Sequence, residues 1–340
     1  DYGFHGVIQH VNEEVLADMQ LLRDSEGIAS FKIYLTYDDM LPDGDVFKVL
    51  ERAQELGLVV CAHCENDGVV NTLRKRFVDE GKTTPFYHPL SRPAECEEEA
   101  IFRFLTIAEL AKEAKVYVVH LTTQLGLDAI RYKRAAGQKN IFAETCPQYL
   151  TLDDHLYTNE NEALKYLMSP PLRKQDDIQA LWDGLAKNDI DTIGTDHCPF
   201  FFATQKQRGA NNFTMAPNGA PGIELRMPLI FSEGFVKGRL SLPQVVRQCS
   251  TRPAEIFGFA HQKGDIAPGL DADLVLFDPT VEWTVHKENL HENVDYTPYE
   301  GIKITGAPVA TISRGEVIVE NGILNAEKGR GKYIFRKTNG

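Results

Sequence analysis

The segment FKIYLTY, residues 31–37, has the length and apolar content of a buried strand, yet it carries a lysine at its second position. Burying an unpaired ammonium is costly, and lysine ordinarily escapes by reaching solvent or by losing its proton. Lys32 is therefore either a strand-end residue snorkelling outward or an amine kept for chemistry. The neighbouring sequence helps decide. Similar short apolar runs recur as GVIQHV (6–11), LVVCAH (58–63), VYVVH (116–120), IFAET (141–145) and DTIGTD (191–196). Between them lie stretches with helical spacing: Val46, Val49, Leu50, Ala53 and Leu56 ending at Gly57, then Ile101, Phe104, Leu105 and Ala108, then Ile178, Leu181, Trp182 and Leu185. Strand-length runs alternating with amphipathic helices are the pattern of βα units and a parallel sheet.

From about residue 262 the rhythm changes. GDIAPGLDADLVLFDP, VEWTV and PVATISRGEVIVENG read as short strands separated by glycine and proline turns. The expected organisation is a catalytic α/β part over 1–261 and a small β-rich part over 262–340. Six strands cannot close an eight-stranded barrel. The sheet is then either open or completed by strands upstream of Asp1.

The net charge of −13 disfavours nucleic-acid and anionic-membrane partners. No apolar run approaches the length of a membrane-spanning helix. Six scattered cysteines make no disulfide framework and suit a reducing cytoplasm.

Four of the six runs carry or end in a side chain suited to metal chemistry: Lys32, His63, His120 and Asp196. Reactive groups of a (β/α) barrel gather at the carboxyl ends of its strands, so residues distant in sequence converge there. Neutral imidazole and carboxylate together suit a divalent ion such as zinc.

The segments SFKIYLTY, VVCAHCEN, VYVVHLTT, FAETCPQYLTL, LMSPPLR, GTDHCPF and APNGAPGIELRMPL, in this order, resemble the cyclic amidohydrolases, and within them the D-hydantoinase and dihydropyrimidinase branch. GDIAPGLDADLVLFDP resembles the final domain of the same superfamily. The resemblance implies a (β/α)8 TIM barrel lacking its first strands here, with a C-terminal β-sandwich-like appendage. It implies that Lys32 is carboxylated on its amine (N6-carboxylysine) and bridges two divalent metal ions, zinc being expected. His63 and His120 would bind one metal, and Asp196 the other. A shared hydroxide would attack a ring carbonyl of a hydantoin or 5,6-dihydropyrimidine. Asp196 would then pass the water's proton to the leaving ring nitrogen. Tyr37 matches the tyrosine whose hydroxyl stabilises the oxyanion, and Ser169 and Asn218 match positions whose main chain holds the substrate's amide edge. Tyr34 and Leu35 would border the substrate's exocyclic group. The family also carries an H-x-H pair on its first strand, which this sequence lacks. That pair is expected upstream of Asp1, and a homotetramer or homodimer is the assembly implied.

Other features read as structural. Cys61 and Cys64 of CAHC have no second C-x-x-C and are expected to pack. His5, His10, His88 and His155 are expected at the surface or in structural roles, His197 is expected to turn away from Asp196, and ECEEE (95–99) is expected to open a helix. Two rival functions are an allantoinase and a non-catalytic dihydropyrimidinase-related scaffolding protein. Tyr37 and NGAPGIELRMPL lean away from the first, and retention of Lys32, His63, His120 and Asp196 argues against the second.

Overall fold

The computed structural model describes residues 1–338. Six strands form one parallel sheet in chain order: β1 (Gly6–Val7), β2 (Ser30–Tyr34), β3 (Val59–His63), β4 (Lys115–Val118), β5 (Ile141–Thr145) and β6 (Thr192–Ile193). Each falls on one of the apolar runs. The first and last are only two residues long, because each has a single strand neighbour to bond. Within the register, Lys32 lies between Val7 of β1 and Cys61 of β3.

Helices return the chain between strands, and their buried faces are the sequence stripes. In helix Asp43–Leu56 the buried residues are Val46, Val49, Leu50, Ala53 and Leu56. The helix stops at Gly57, whose φ of 70° lets its N–H reach back to the Ala53 carbonyl. Leu50 is fully buried, so Leu50→Ala would cost about 2–5 kcal/mol. Helix Ala94–Leu110 buries Ile101, Phe104, Leu105 and Ala108 and opens with Glu95 and Glu97 in its first turn. Helix Gln175–Ala186 buries Ile178, Leu181, Trp182 and Leu185. These faces join the strands' buried residues in one continuous core. No helix among the described residues is long and apolar enough to cross a membrane.

The β-rich part is a separate antiparallel sheet of four strands: β7 (Leu274–Thr284), β8 (Lys303–Ser313), β9 (Glu316–Glu320) and β10 (Ile323–Leu324), in the order β10-β9-β8-β7. Beyond it the chain returns to the parallel sheet. Arg336 Nη1 donates to Ser30 Oγ at 2.7 Å, and Lys337 N–H donates to the Gly258 carbonyl at 2.7 Å. The tail therefore braces the start of the strand that carries Lys32.

Candidate active site

Three of the four candidate ligands sit where the strands stop. Lys32 is within β2 and His63 is the last residue of β3, while His120 and Asp196 lie just past β4 and β6. Tyr37, His120 and Asp196 have φ of 73°, 39° and 47°. Non-glycine residues rarely adopt this left-handed region, and such strain gathers at functional sites. The loop after β2 is fixed by Asp67, whose Oδ1 accepts from Thr36 Oγ1 at 3.0 Å and from the Tyr37 N–H at 3.1 Å.

A cavity of about 280 Å³ is lined by Lys32, His120, Asp196, Glu144, Tyr117 and His5, among others. His63 joins this group by packing edge-on against His120, with ring centroids 4.6 Å apart. Tyr37 joins through His63, at 5.0 Å between rings. The Lys32 Nζ lies 5.4 Å from the centre of the Tyr34 ring. Ser169 and Asn218 stand on two loops that meet where the Gly219 N–H donates to the Leu167 carbonyl at 3.0 Å. The second loop is also bonded to the Asp196 segment, through Cys198 N–H to the Ala220 carbonyl at 3.1 Å.

Burial sets the charge states. It pushes the Lys32 amine down, opposed by Cys61, Asp196 and Glu144, which is the direction that favours an amine kept for chemistry. Burial lowers His63, against the Glu65 hydrogen bond, and lowers His120 well below the ordinary histidine value, helped by His63 and Lys32. Both imidazoles are neutral, the state a metal requires. Asp196 lines the cavity, and desolvation lifts its carboxyl to about 7, with Lys32 opposing the rise and Glu144 adding to it. Burial likewise raises Glu144.

This donor set fits the expected metals. His120 Nδ1 is buried with no hydrogen-bond partner, and the two raised carboxyls lack a full counter-charge. Among the described residues, His63, His120 and Asp196 do not bring three ligand atoms within 4.8 Å of one another. Ions held by separate subsets of these residues would not require them to.

Several functional candidates carry little sequence signal. Glu65, two residues beyond His63 and fully buried, accepts from His63 Nε2 at 2.7 Å and from Arg92 Nη1 at 2.5 Å. It therefore fixes the ring so that Nδ1 is left free. The Arg92 guanidinium also lies 5.6 Å from the Tyr37 ring centre. Burial raises the Tyr37 hydroxyl well above the ordinary tyrosine value, with Arg92 pulling it back, so it remains a protonated donor. Ser169 is close enough to influence that hydroxyl but is not in hydrogen-bonding geometry, since its buried Oγ has no partner. Glu144 accepts from Tyr117 Oη at 2.9 Å and from the His120 N–H at 3.3 Å, and a Cβ on Gly194 would run into its carboxylate. The H-C-E spacing puts Glu65 and His63 on one side of an extended chain and was a usable sign; Arg92 offered none.

One expectation needs correction, and the others are given partners by the structure. Leu35 is only 2 % exposed and belongs to the core, so it does not line a substrate space; of that pair only Tyr34 remains part-open. His5 is partnered and lines the cavity, its Nδ1 bonded to Ser30 Oγ at 2.7 Å. His88 is buried and structural, its Nε2 meeting the Met168 carbonyl at 2.8 Å next to Ser169. His197 Nδ1 accepts from the N–H groups of Gly222 and Ile223 at 3.1 and 3.2 Å, which ties down the Asn218 loop. Cys61 and Cys64 are buried free thiols, as their isolation implied.

The Amidohydrolase family profile matches residues 11–318. The chain is 44% identical over 337 residues to a D-phenylhydantoinase of Escherichia coli O1:K1 / APEC, covering 99% of this chain and 72% of the relative. The D-hydantoinase structure from Bacillus sp. AR9 superposes with a TM-score of 0.98 at 42% identity, covering 100% of this chain and 74% of that one. The dihydropyrimidinase of Brevibacillus agri NCHU1002 gives 0.97 at 44% identity, covering 99% and 74%. A profile spanning most of the sequence and a fold shared from end to end establish that the chain belongs to the Amidohydrolase family.

Proposed function

We propose that this protein hydrolyses cyclic amides, opening hydantoin or 5,6-dihydropyrimidine rings at a ring carbonyl. The observation that carries the reading is the gathering of Lys32, His120, Glu144 and Asp196 around one cavity at the strand ends, with His63 packed against His120. Relatives named for this chemistry match along nearly the whole chain.

In this reading Lys32, as its carbamate, together with His63, His120 and Asp196 would hold two divalent ions. A neutral amine is the form that attacks carbon dioxide, and burial favours it. Two zinc ions would supply an acidified water and a polarised carbonyl. Asp196 takes a proton at its carboxylate and returns it to the leaving ring nitrogen, as general base and then general acid. The Tyr37 hydroxyl donates to the oxygen that gains charge. Main-chain groups at Ser169 and Asn218 hold the amide edge, and Tyr34 borders the exocyclic substituent. Residues 1–261 provide this chemistry and 262–340 the appended sheet. Six free cysteines suit a cytoplasmic enzyme, and a homotetramer or homodimer is the assembly we expect.

Assays of the full chain against dihydrouracil, hydantoin and allantoin, alongside metal content, test the reading. Turnover of dihydrouracil or hydantoin is expected, with allantoin poor. Lys32→Ala should lose bound metal and activity together, and a short carboxylic acid should restore part of both. Full activity in Lys32→Ala would defeat the carbamate assignment.

A further inference from the structure

Lys206 is fully buried, and no carboxylate accompanies it. Its ammonium donates instead to two main-chain carbonyls, Leu167 at 2.6 Å and Pro217 at 2.8 Å. These carbonyls belong to different loops. Leu167 is two residues before Ser169, and Pro217 is immediately before Asn218. The amine also lies 5.6 Å from the centre of the Phe200 ring, but its hydrogen bonds go to backbone carbonyls alone. A buried amine held this way is an expensive device for joining loops, because a shorter amide side chain carries less desolvation cost.

The location gives it a purpose. The Pro217 carbonyl and the Asn218 N–H are the two ends of one peptide group. In a trans peptide they point in opposite directions. A donor held on the carbonyl therefore fixes the plane of the peptide and strengthens the N–H on its far side as a donor. Among the described residues, the Asn218 N–H and the Ser169 N–H donate to nothing, and Ser169 Oγ is buried without a partner. The two loops thus present free donors while Lys206 and the Gly219-to-Leu167 bond hold them in one arrangement.

We propose that Lys206 is a positioning residue for substrate, an internal clamp that aligns the Ser169 and Asn218 main chains to grip the amide edge of the ring. The inference rests on the hydrolase reading above. Acting through the loops, Lys206 governs how tightly the ring is held more than how fast the bond breaks.

The test is steady-state kinetics of wild type, Lys206→Met and Lys206→Gln on the ring amide that wild type turns over, with metal content and circular dichroism measured on each. Methionine keeps the bulk and loses every donor, while glutamine keeps a shorter donor and reaches fewer carbonyls. The expected result is a KM raised about tenfold or more in Lys206→Met, kcat changed less than about threefold, and metal content unchanged. Lys206→Gln should fall between the two, and it carries the comparison if the methionine variant does not fold. A folded variant with unchanged KM, or one whose loss follows loss of metal, overturns the clamp while leaving the hydrolase reading standing. A metal-loaded wild type inert toward every ring amide overturns both.

Discussion

Arg92→Met isolates a fully buried ion pair beside the candidate ligands. Arg92 and Glu65 have side chains 1% and 0% exposed and are joined at 2.5 Å. The pair, with the His63 hydrogen bond, holds the Glu65 carboxyl down at about 2 against its burial. Because this folded-state value is below the ordinary 4.5, its stabilisation is complete above about pH 4.5 and is lost as pH falls through about 2. Glu97 shows what burial does to a carboxyl without such a contact pair. Burial pushes it up to about 7, although Arg173 first, and hydrogen bonds from Thr123 and Thr122 after it, oppose the rise. Removing the Arg92 guanidinium while leaving Glu65 should cost about 3–5 kcal/mol near neutral pH. The deficit should be largest near pH 8 and shrink toward about pH 5.5, as Glu65 or His63 takes up a proton. Most of it should return in the Arg92→Met/Glu65→Gln double variant, which leaves no unpaired charge. Urea unfolding followed by circular dichroism across this pH range, at fixed metal concentration, measures both effects. A cost below about 1 kcal/mol, or a double variant no more stable than the single one, would refute the assignment of Glu65 as a charge held by Arg92.

Tyr37→Phe keeps the ring contacts with His63 and Arg92 and removes only the hydroxyl. It should lower kcat about 10²–10³-fold with a small change in KM, and an unchanged kcat would remove Tyr37 from the chemistry. Gly194→Ala drives a methyl group into the Glu144 carboxylate, so a loss of about 1–3 kcal/mol in a urea melt and reduced activity are expected. For Lys206, burial brings the amine down from 10.5 to about 7. Between those values the unfolded chain keeps a proton that the folded chain has released, so this group's penalty is full below about pH 7 and fades as pH rises. It amounts to at most about 5 kcal/mol, since the two carbonyl acceptors favour the ammonium. Stability differences between Lys206→Met and wild type, followed from about pH 7 to 10, should reveal that slope. A difference independent of pH would show that Lys206 does not titrate there.

The sequence alone determined the strands and the helix faces, because periodicity reports directly which side of an element is buried. The stripe from Val46 to Leu56 and its stop at Gly57 needed nothing beyond local pattern. It also placed Lys32 inside a strand and His63, His120 and Asp196 at strand ends, since motif and strand boundary coincide at those three. Tertiary structure decided what surrounds them. Arg92 reaches Glu65 across 27 residues, and Lys206 reaches Leu167 across 39. Neither contact leaves a periodic trace, because each depends on how separate loops fold over the sheet. The same holds for Leu35, which the family resemblance gave to the substrate and packing gave to the core. Charge states followed packing too. The low amine of Lys32 and the high carboxyl of Asp196 arise from desolvation, which a chain acquires only once its distant segments have closed around them.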